Sequence, residues 1–304
     1  MMKKQKFSIA CMLLMAVMLL TACGKEKEQF FADTYNRSEQ KSYDDYVKLM
    51  AKGRISAENT MYKLYSCGVL EIVGEYALEE EDMPAEVVEE IAGLSFDVVL
   101  VTGENIRYFP KLPDKQFSLY IDESVVCIEG EVFSQNDNIT SLHIVGNEME
   151  IKDAAFSQCK NLKNVKLDGT FSYVGESMFA DCINLKTADI SADIEKLDEE
   201  CFTGCLRLEQ VKLPEELQEI PYRMFYNCIK LSDIDIPETV TYIGSEVFMY
   251  CCSLTEVTLP RSVDTLSGDV FLGCSLLEKI KLDATLTDYV EDEYFDERII
   301  VEYY

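Results

Sequence analysis

His143, the cysteines and a few runs of carboxylates are the residues with which this chain could do chemistry. His143 is the single histidine among 304 residues, so a Ser-His-Asp or Cys-His relay would have to be built around it. It sits in the alternating stretch Ser141-Leu142-His143-Ile144, where the imidazole takes an outward position and no apolar pocket is implied. A solvent-facing histidine is the expectation. Zinc lacks its usual partners, because the twelve cysteines contain no CxxC pair and there is no second histidine. Cys201-Phe202-Thr203-Gly204-Cys205 brings two thiols close, but both fall inside an apolar pattern. No EF-hand loop, glycine-rich phosphate loop or HExxH segment is present. Glu291-Asp292-Glu293, with Asp296 and Glu297, could hold calcium loosely but reads better as a solvated charge run. No catalytic residue, metal or cofactor is expected, and the chain does not read as an enzyme.

The cysteines make sense through a repeat instead. Phe133, Phe156, Phe179, Phe202, Phe225, Phe248 and Phe271 are spaced 23 residues apart. A cysteine follows three residues after the last six: Cys159, Cys182, Cys205, Cys228, Cys251 and Cys274. Counting from the phenylalanine, position −5 is Ile128, Ile151, Val174, Leu197, Ile220, Ile243 and Leu266. Position +6 is Ile139, Leu162, Leu185, Leu208, Leu231, Leu254 and Leu277. Position +9 is Leu142, Val165, Ala188, Val211, Ile234, Val257 and Ile280, and position +11 is Ile144, Leu167, Ile190, Leu213, Ile236, Leu259 and Leu282. The +9/+11 pair is the period-2 signature of a short strand. The Phe, Cys and Leu spacing of three predicts a tight 3₁₀-like turn with one side facing in. No coil of this kind buries its apolar side alone, and stacking at roughly 4.8 Å per step does so. A period of this size is that of a leucine-rich-repeat solenoid, which presents surfaces more readily than reaction centres.

In an exported chain many cysteines normally form disulfides. Stacked neighbours at about 5 Å between Cα atoms lie in disulfide range, yet their Cβ vectors run parallel instead of converging. The expectation is a reduced, buried ladder of small hydrophobes. Cys201 stands at position −1 among Val132, Ala155, Met178, Met224, Val247 and Val270, so it also reads as packing, while Cys252 should point outward.

The supporting elements follow from pattern. Residues 1–22 have the layout of a secretory signal, with Lys3, Lys4 and Lys6 ahead of the apolar stretch from Phe7 to Leu20, too short for a membrane-spanning helix. Residues 23–37 read as a spacer and 38–116 as a small N-terminal α/β cap. Within the cap, helices are expected over Ser38–Ala51, from Ser56 to about Tyr65 and from Pro84 through Ala92. Strands are expected over Val69–Val73 and Phe96–Val101, and the acidic run from Glu79 is a loop. The solenoid occupies 117–285, with seven full repeats over 125–285, and 286–304 is a degenerate capping repeat. Lys and Arg number 28 against 56 Asp and Glu, a net charge of −28, which excludes phosphate-backbone binding to nucleic acid and disfavours anionic lipid surfaces.

Two resemblances go further. Leu20-Thr21-Ala22-Cys23 resembles a bacterial lipoprotein box, which implies cleavage before Cys23 and lipid attachment to its thiol. The run from Val240 to Pro260, with Ile243, Gly244, Phe248, Cys251, Leu254, Val257 and Leu259 in register, resembles the BspA-type bacterial leucine-rich repeat. The glycine after −5 recurs only as Gly175 and Gly244, the strand-ending proline only as Pro214, Pro237 and Pro260, and Asn136 replaces the first cysteine. The resemblance implies a curved solenoid on a lipid-anchored protein at the outer face of a bacterial membrane, binding an extracellular protein or glycan in the manner of an adhesin. The other reading is an envelope-organising lipoprotein without a host-facing ligand. A surface candidate exists at position +1, which reads Ser134, Ser157, Ala180 and Thr203, then Tyr226, Met249 and Leu272, with Tyr250 beside them. Either this stripe is a partner site or the C-terminal tail folds over it. If Cys23 is the lipid acceptor, Cys23→Ala abolishes metabolic fatty-acid labelling and membrane retention. Equal labelling of both proteins would show that the thiol carries no lipid.

Overall fold

The computed structural model describes residues 49–54, 61–65, 69–73, 77–78, 89, 91, 93–109, 111–112, 115–284, 286 and 298–304. The signal, Cys23, the spacer, the acidic run after Leu78, Pro84 and the carboxylates at 291–297 lie outside these residues. Between 115 and 284 the chain winds as a solenoid whose coils are numbered 1 to 7 from Phe133 to Phe271. Coil 6 shows the path: a return strand at Tyr242–Ile243, the phenylalanine turn, then a front strand at Glu256–Thr258. Front strands pair in parallel with like positions side by side, as Leu119, Leu142, Val165, Ala188 and Val211 do. The +9 and +11 side chains therefore enter one continuous core while +8 and +10 stay outside.

The N-terminal region differs from expectation. Met61–Tyr65 is a strand, and so is Leu49–Arg54, where the described parts of two expected helices lie. Both add antiparallel to Val69–Val73. That strand pairs in parallel with Val98–Thr102, which pairs in turn with Phe117–Ile121. Leu70, Val99 and Leu119 thus continue the +9 column without a break across the boundary expected after residue 116. The physical reason is the sheet edge: unpaired N–H and C=O groups along Val69–Val73 template further strands, and Met61-Tyr-Lys-Leu-Tyr is rich enough in strand formers to answer. Among the described residues, α-helix is confined to positions 89, 91 and 93, where Ile91 is buried.

The turn holds the coils together. In coil 3 the Cys182 N–H donates to the Phe179 carbonyl at 3.2 Å and the Leu185 N–H to the Cys182 carbonyl at 2.9 Å, two successive i→i+3 bonds. Toward the next coil, Ser177, Phe179 and Asp181 donate to the carbonyls of Glu199, Cys201 and Thr203 at 2.9, 2.9 and 2.7 Å. To aim three alternate N–H groups the same way, the backbone becomes left-handed at positions −2 and +2. Ala154 and Gln158 have φ of 54° and 56°, Glu246 and Tyr250 58° and 64°. Only Gly204 and Gly273 ease this at +2.

Inside the turns the phenylalanine rings stack face to face, with centroids 5.6 Å apart and planes at 2° for Phe225 and Phe248. Each ladder thiol donates to the phenylalanine carbonyl of the preceding coil, from Cys159 to Phe133 at 3.0 Å through Cys274 to Phe248 at 3.0 Å. All six are free and buried, as is Cys201. A disulfide would remove that donor and leave the carbonyl only the N–H bond of its own turn. Asn136 ends the column and is buried, with its Nδ2 lacking a partner.

Two expectations follow. Phe202→Ala should cost about 3–5 kcal/mol of unfolding free energy, and loosen coils on both sides, because a central stacked ring is lost. A loss below about 0.5 kcal/mol, the usual scale for surface substitutions, would mean that the phenylalanine column is not the core. Burial also pushes the thiols of Cys182, Cys205, Cys228 and Cys251 well above the ordinary range, and that of Cys274 up to about 12. An unfolded thiol ionises near pH 8.5, so above that pH the unfolded chain releases protons the folded one keeps. Stability is whole below this value and falls as pH rises toward the folded values, by up to about 1.4 kcal/mol per pH unit for each such thiol. Denaturant midpoints should hold from pH 7 to about 8.5 and fall steeply from there to pH 10, and Cys205→Ala should flatten that slope by one proton. A pH-independent midpoint would contradict the neutral buried ladder.

Candidate functional site

The front face carries polar side chains that already satisfy one another. The Ser141 hydroxyl donates to Ser118 at 2.8 Å and Thr187 to Asn164 at 2.9 Å. Lys281 meets Glu256 at 2.5 Å and Lys212 meets Asp189 at 3.6 Å. His143 takes the outward position expected, with a third of its side chain exposed, but it has partners there. Its Nε2 lies 2.6 Å from Asp168 Oδ2, which Lys166 also contacts at 2.6 Å, and its ring packs edge-on to Tyr120 at 4.9 Å. Burial works against the Asp168 carboxylate, but the Lys166 and His143 bonds outweigh it and hold the group below its usual range. The imidazole is thereby tied to a carboxylate of the next coil. Among the described residues no group of three or more His, Cys, Asp or Glu is arranged to hold a metal.

The turn face is different. Each +1 residue is pinned from both sides: its N–H bonds within the turn, as from Met249 to Glu246 at 3.2 Å, and its carbonyl accepts from the preceding coil, as from Asn227 at 2.8 Å. In coils 1 to 4 the side chains there are small and turned to local use. Ser157 is buried and shares a 2.9 Å hydroxyl contact with Ser134, and Thr203 donates to the Arg223 carbonyl at 2.8 Å. From coil 5 onward they are large. Tyr226 and Met249 are half-buried, while Leu272 is 48 % and Tyr250 41 % exposed.

Tyr250 is left-handed at φ 64°, an expensive state for a bulky residue, and its ring lies over Gly273. A Cβ on Gly273 would come within 2.4 Å of that ring, so the tyrosine above it requires the glycine, whose φ of 77° it also adopts without strain. The ring meets Tyr226 in a T-shaped contact at 5.7 Å. Arg223 closes the N-terminal end, with its guanidinium 4.9 Å from the Tyr226 ring and 2.7 Å from Glu246. Beside this stripe runs an apolar row the sequence reading missed. Position +4 holds Ile183, Leu206, Ile229 and Cys252, all half-buried, and Leu276 at +5 is 57 % exposed. The signal was present as four apolar residues at the same 23-residue spacing.

The described part of the tail lies elsewhere. Ile300–Tyr303 pairs in parallel with Lys279–Leu282 and so extends the front sheet. Tyr304 then donates from its hydroxyl to the Leu259 carbonyl, with Arg261 over its ring at 5.0 Å. The stripe remains open to solvent at Leu272 and Tyr250.

A family model described as the BspA type leucine rich repeat region matches residues 115–208 and 189–300, in six copies. No curated protein matches the chain. Solved structures similar to it include a leucine-rich repeat protein of T. pallidum, 20 % identical, with a TM-score of 0.37 over 76 % of this chain and 86 % of that one. A leucine-rich repeat protein of Bacteroides ovatus is 14 % identical, with a TM-score of 0.37 over 86 % and 100 % of the two chains. A leucine-rich cell surface protein of Faecalibacterium prausnitzii is 13 % identical, with a TM-score of 0.25 over 82 % and 94 %.

Because coils 1 to 4 carry small +1 residues in the same backbone, replacing Tyr226, Met249 and Leu272 by Ser should shift the unfolding free energy by no more than about 1–2 kcal/mol. Thermal melting of the triple variant checks this. Global unfolding would mean that the stripe is core rather than surface.

Proposed function

The chain belongs to the BspA-type leucine-rich repeat family, and from that premise we propose that it is a non-enzymatic surface protein whose solenoid binds an extracellular macromolecule. In this reading Cys23 carries the lipid that tethers the chain to the outer face of a bacterial membrane, and the solenoid stands outward from it. The observation that carries the binding reading is the stripe of half-buried Tyr226 and Met249 and exposed Tyr250 and Leu272, with exposed Leu276 beside it. Aromatic and large aliphatic side chains dominate interface energies, and burying one fully is worth roughly 1.5–3 kcal/mol. Partner contacts on the front face would have to compete with ion pairs already made, whereas the stripe's Leu272 and Tyr250 stay exposed beside the contacts that Tyr226 makes to Arg223 and Tyr250. Fixed on hydrogen-bonded turns, its side chains lose little freedom when a partner docks. A protein surface offering apolar side chains fits the stripe better than a glycan does.

The test is capture from host matrix and bacterial envelope fractions by the purified protein, wild type against the Tyr226, Met249 and Leu272 triple Ser variant. The expected result is salt-tolerant capture of one component by the wild type and its loss in a variant that melts normally. Equal capture by both proteins would move the binding site off the stripe. Capture restricted to envelope components would favour an envelope-organising role over adhesion.

A further inference from the structure

The two flat sides of the solenoid are not bonded evenly along its length. On the return side the N–H at position −4 donates to the −5 carbonyl of the preceding coil. The series runs Lys152 to Ile128, Gly175 to Ile151 and Asp198 to Val174, at 2.9, 2.8 and 2.9 Å, then resumes with Gly244 to Ile220 and Ser267 to Ile243, both at 2.9 Å. Coil 5 has Pro221 at that position, which has no N–H to give. No backbone hydrogen bond joins residues 216–221 to 193–198.

The front side fails at the same coil. Elsewhere the N–H at +7 donates to the +7 carbonyl of the preceding coil, as from Lys186 to Lys163 at 2.8 Å, Glu209 to Lys186 at 2.9 Å and Glu278 to Thr255 at 2.9 Å. The N–H at +11 donates the other way, from Ile190 to Lys212 at 2.9 Å and from Leu259 to Lys281 at 2.8 Å. Among the described residues, 232–236 make no backbone hydrogen bond in either direction, so one sheet ends at Gln210–Lys212 and another begins at Glu256–Thr258. Coil 5 places aspartate at both outward strand positions, Asp233 and Asp235. Aspartate is a poor strand former, and Asp233 would face Glu256, a like charge, in a paired sheet.

Coils 4 and 5 are therefore hydrogen-bonded along one edge only, the turn. Glu200, Phe202 and Gly204 donate to the carbonyls of Tyr222, Met224 and Tyr226 at 3.0, 2.9 and 2.8 Å, and the Phe202 and Phe225 rings stack at 5.7 Å. Bonds confined to one edge resist separation there, and rotation about that edge is opposed only by the packing of side chains between the two coils. Opposite them, a front cavity of about 350 Å³ straddles the junction, with Lys212 and Glu215 on the coil 4 side and Asp235 and Glu238 on the coil 5 side. We propose that the solenoid is two rigid arms, ending at coil 4 and beginning at coil 5, that bend about the turn ladder between Phe202 and Phe225 and so open and close this front cleft.

Fluorophores placed on the full chain at residues 163 and 278 by non-cysteine chemistry would report the bend, since both positions are exposed at +7 on the side away from the hinge. A second pair at 163 and 209 lies within the first arm and serves as the rigid standard. Single-molecule energy transfer should give a broader distance distribution for 163–278 than for 163–209. Pro221→Ala supplies the missing donor to the Leu197 carbonyl and should narrow the 163–278 distribution, and so should Asp233→Thr with Asp235→Thr, which restores strand-forming residues. Alanine is tolerated at −4, where Lys, Gly, Asp and Ser already occur, so the variant should fold. A wild-type 163–278 distribution as narrow as the standard, or one that neither variant narrows, would overturn the joint.

Discussion

Everything in this molecule hangs on the phenylalanine turn, where three alternate N–H groups point along the solenoid axis into the next coil. Phe179 shows the arrangement: its ring is stacked on both sides, at 5.9 and 5.6 Å, while its N–H bonds the Cys201 carbonyl. The Phe179 carbonyl, which accepts the Cys182 N–H to close its own turn, also accepts the Cys205 thiol at 3.2 Å. Ring, amide and carbonyl of one residue thus each fix a different neighbour. An insertion anywhere in the turn would break all of these at once, which accounts for an unbroken 23-residue spacing through seven coils.

The arrangement carries strain. Left-handed non-glycine residues cost on the order of 1 kcal/mol or more each, and most coils hold two of them. They persist because the alternation of left- and right-handed residues is what aims the N–H groups one way, and because releasing it would unstack a buried ring. The same constraint makes the turn face stiff. The large side chains at +1 in coils 5 to 7, and Tyr250 at +2, are consequently displayed in fixed positions, whereas the front strands can keep their +9 and +11 side chains buried and still lose their pairing, as coil 5 does.

Stripe and joint meet at one place. Tyr226 and Arg223 belong to the first coil of the second arm, and Glu200, 3.8 Å from Arg223, to the last coil of the first. The exposed side chains of the stripe, Tyr250 and Leu272, both ride on the second arm, so a partner held by the stripe would be carried by that arm as the solenoid bends. The hinge edge itself runs beside the stripe, where rotation moves side chains least.

The seven-coil core was legible in the amino-acid order because its burial is periodic: every column from −5 to +11 is a statement about which way a side chain faces, and facing repeats with the chain. The reduced state of the cysteines was legible for the same reason, since parallel side chains cannot converge. The thiol-to-carbonyl bonds were not, because they depend on where the preceding coil puts its phenylalanine oxygen. Nor was the conversion of 61–65 from an expected helix to a strand, which a neighbouring sheet edge decides against local spacing. The +4 row was readable and overlooked. Pro221 and the aspartates of coil 5 stood in plain view, but only the stacked structure shows that they unbond the same junction on opposite sides. Hydrophobic period is a property of one chain segment; a hydrogen bond between coils belongs to two segments at once, and only tertiary structure brings both to the same place.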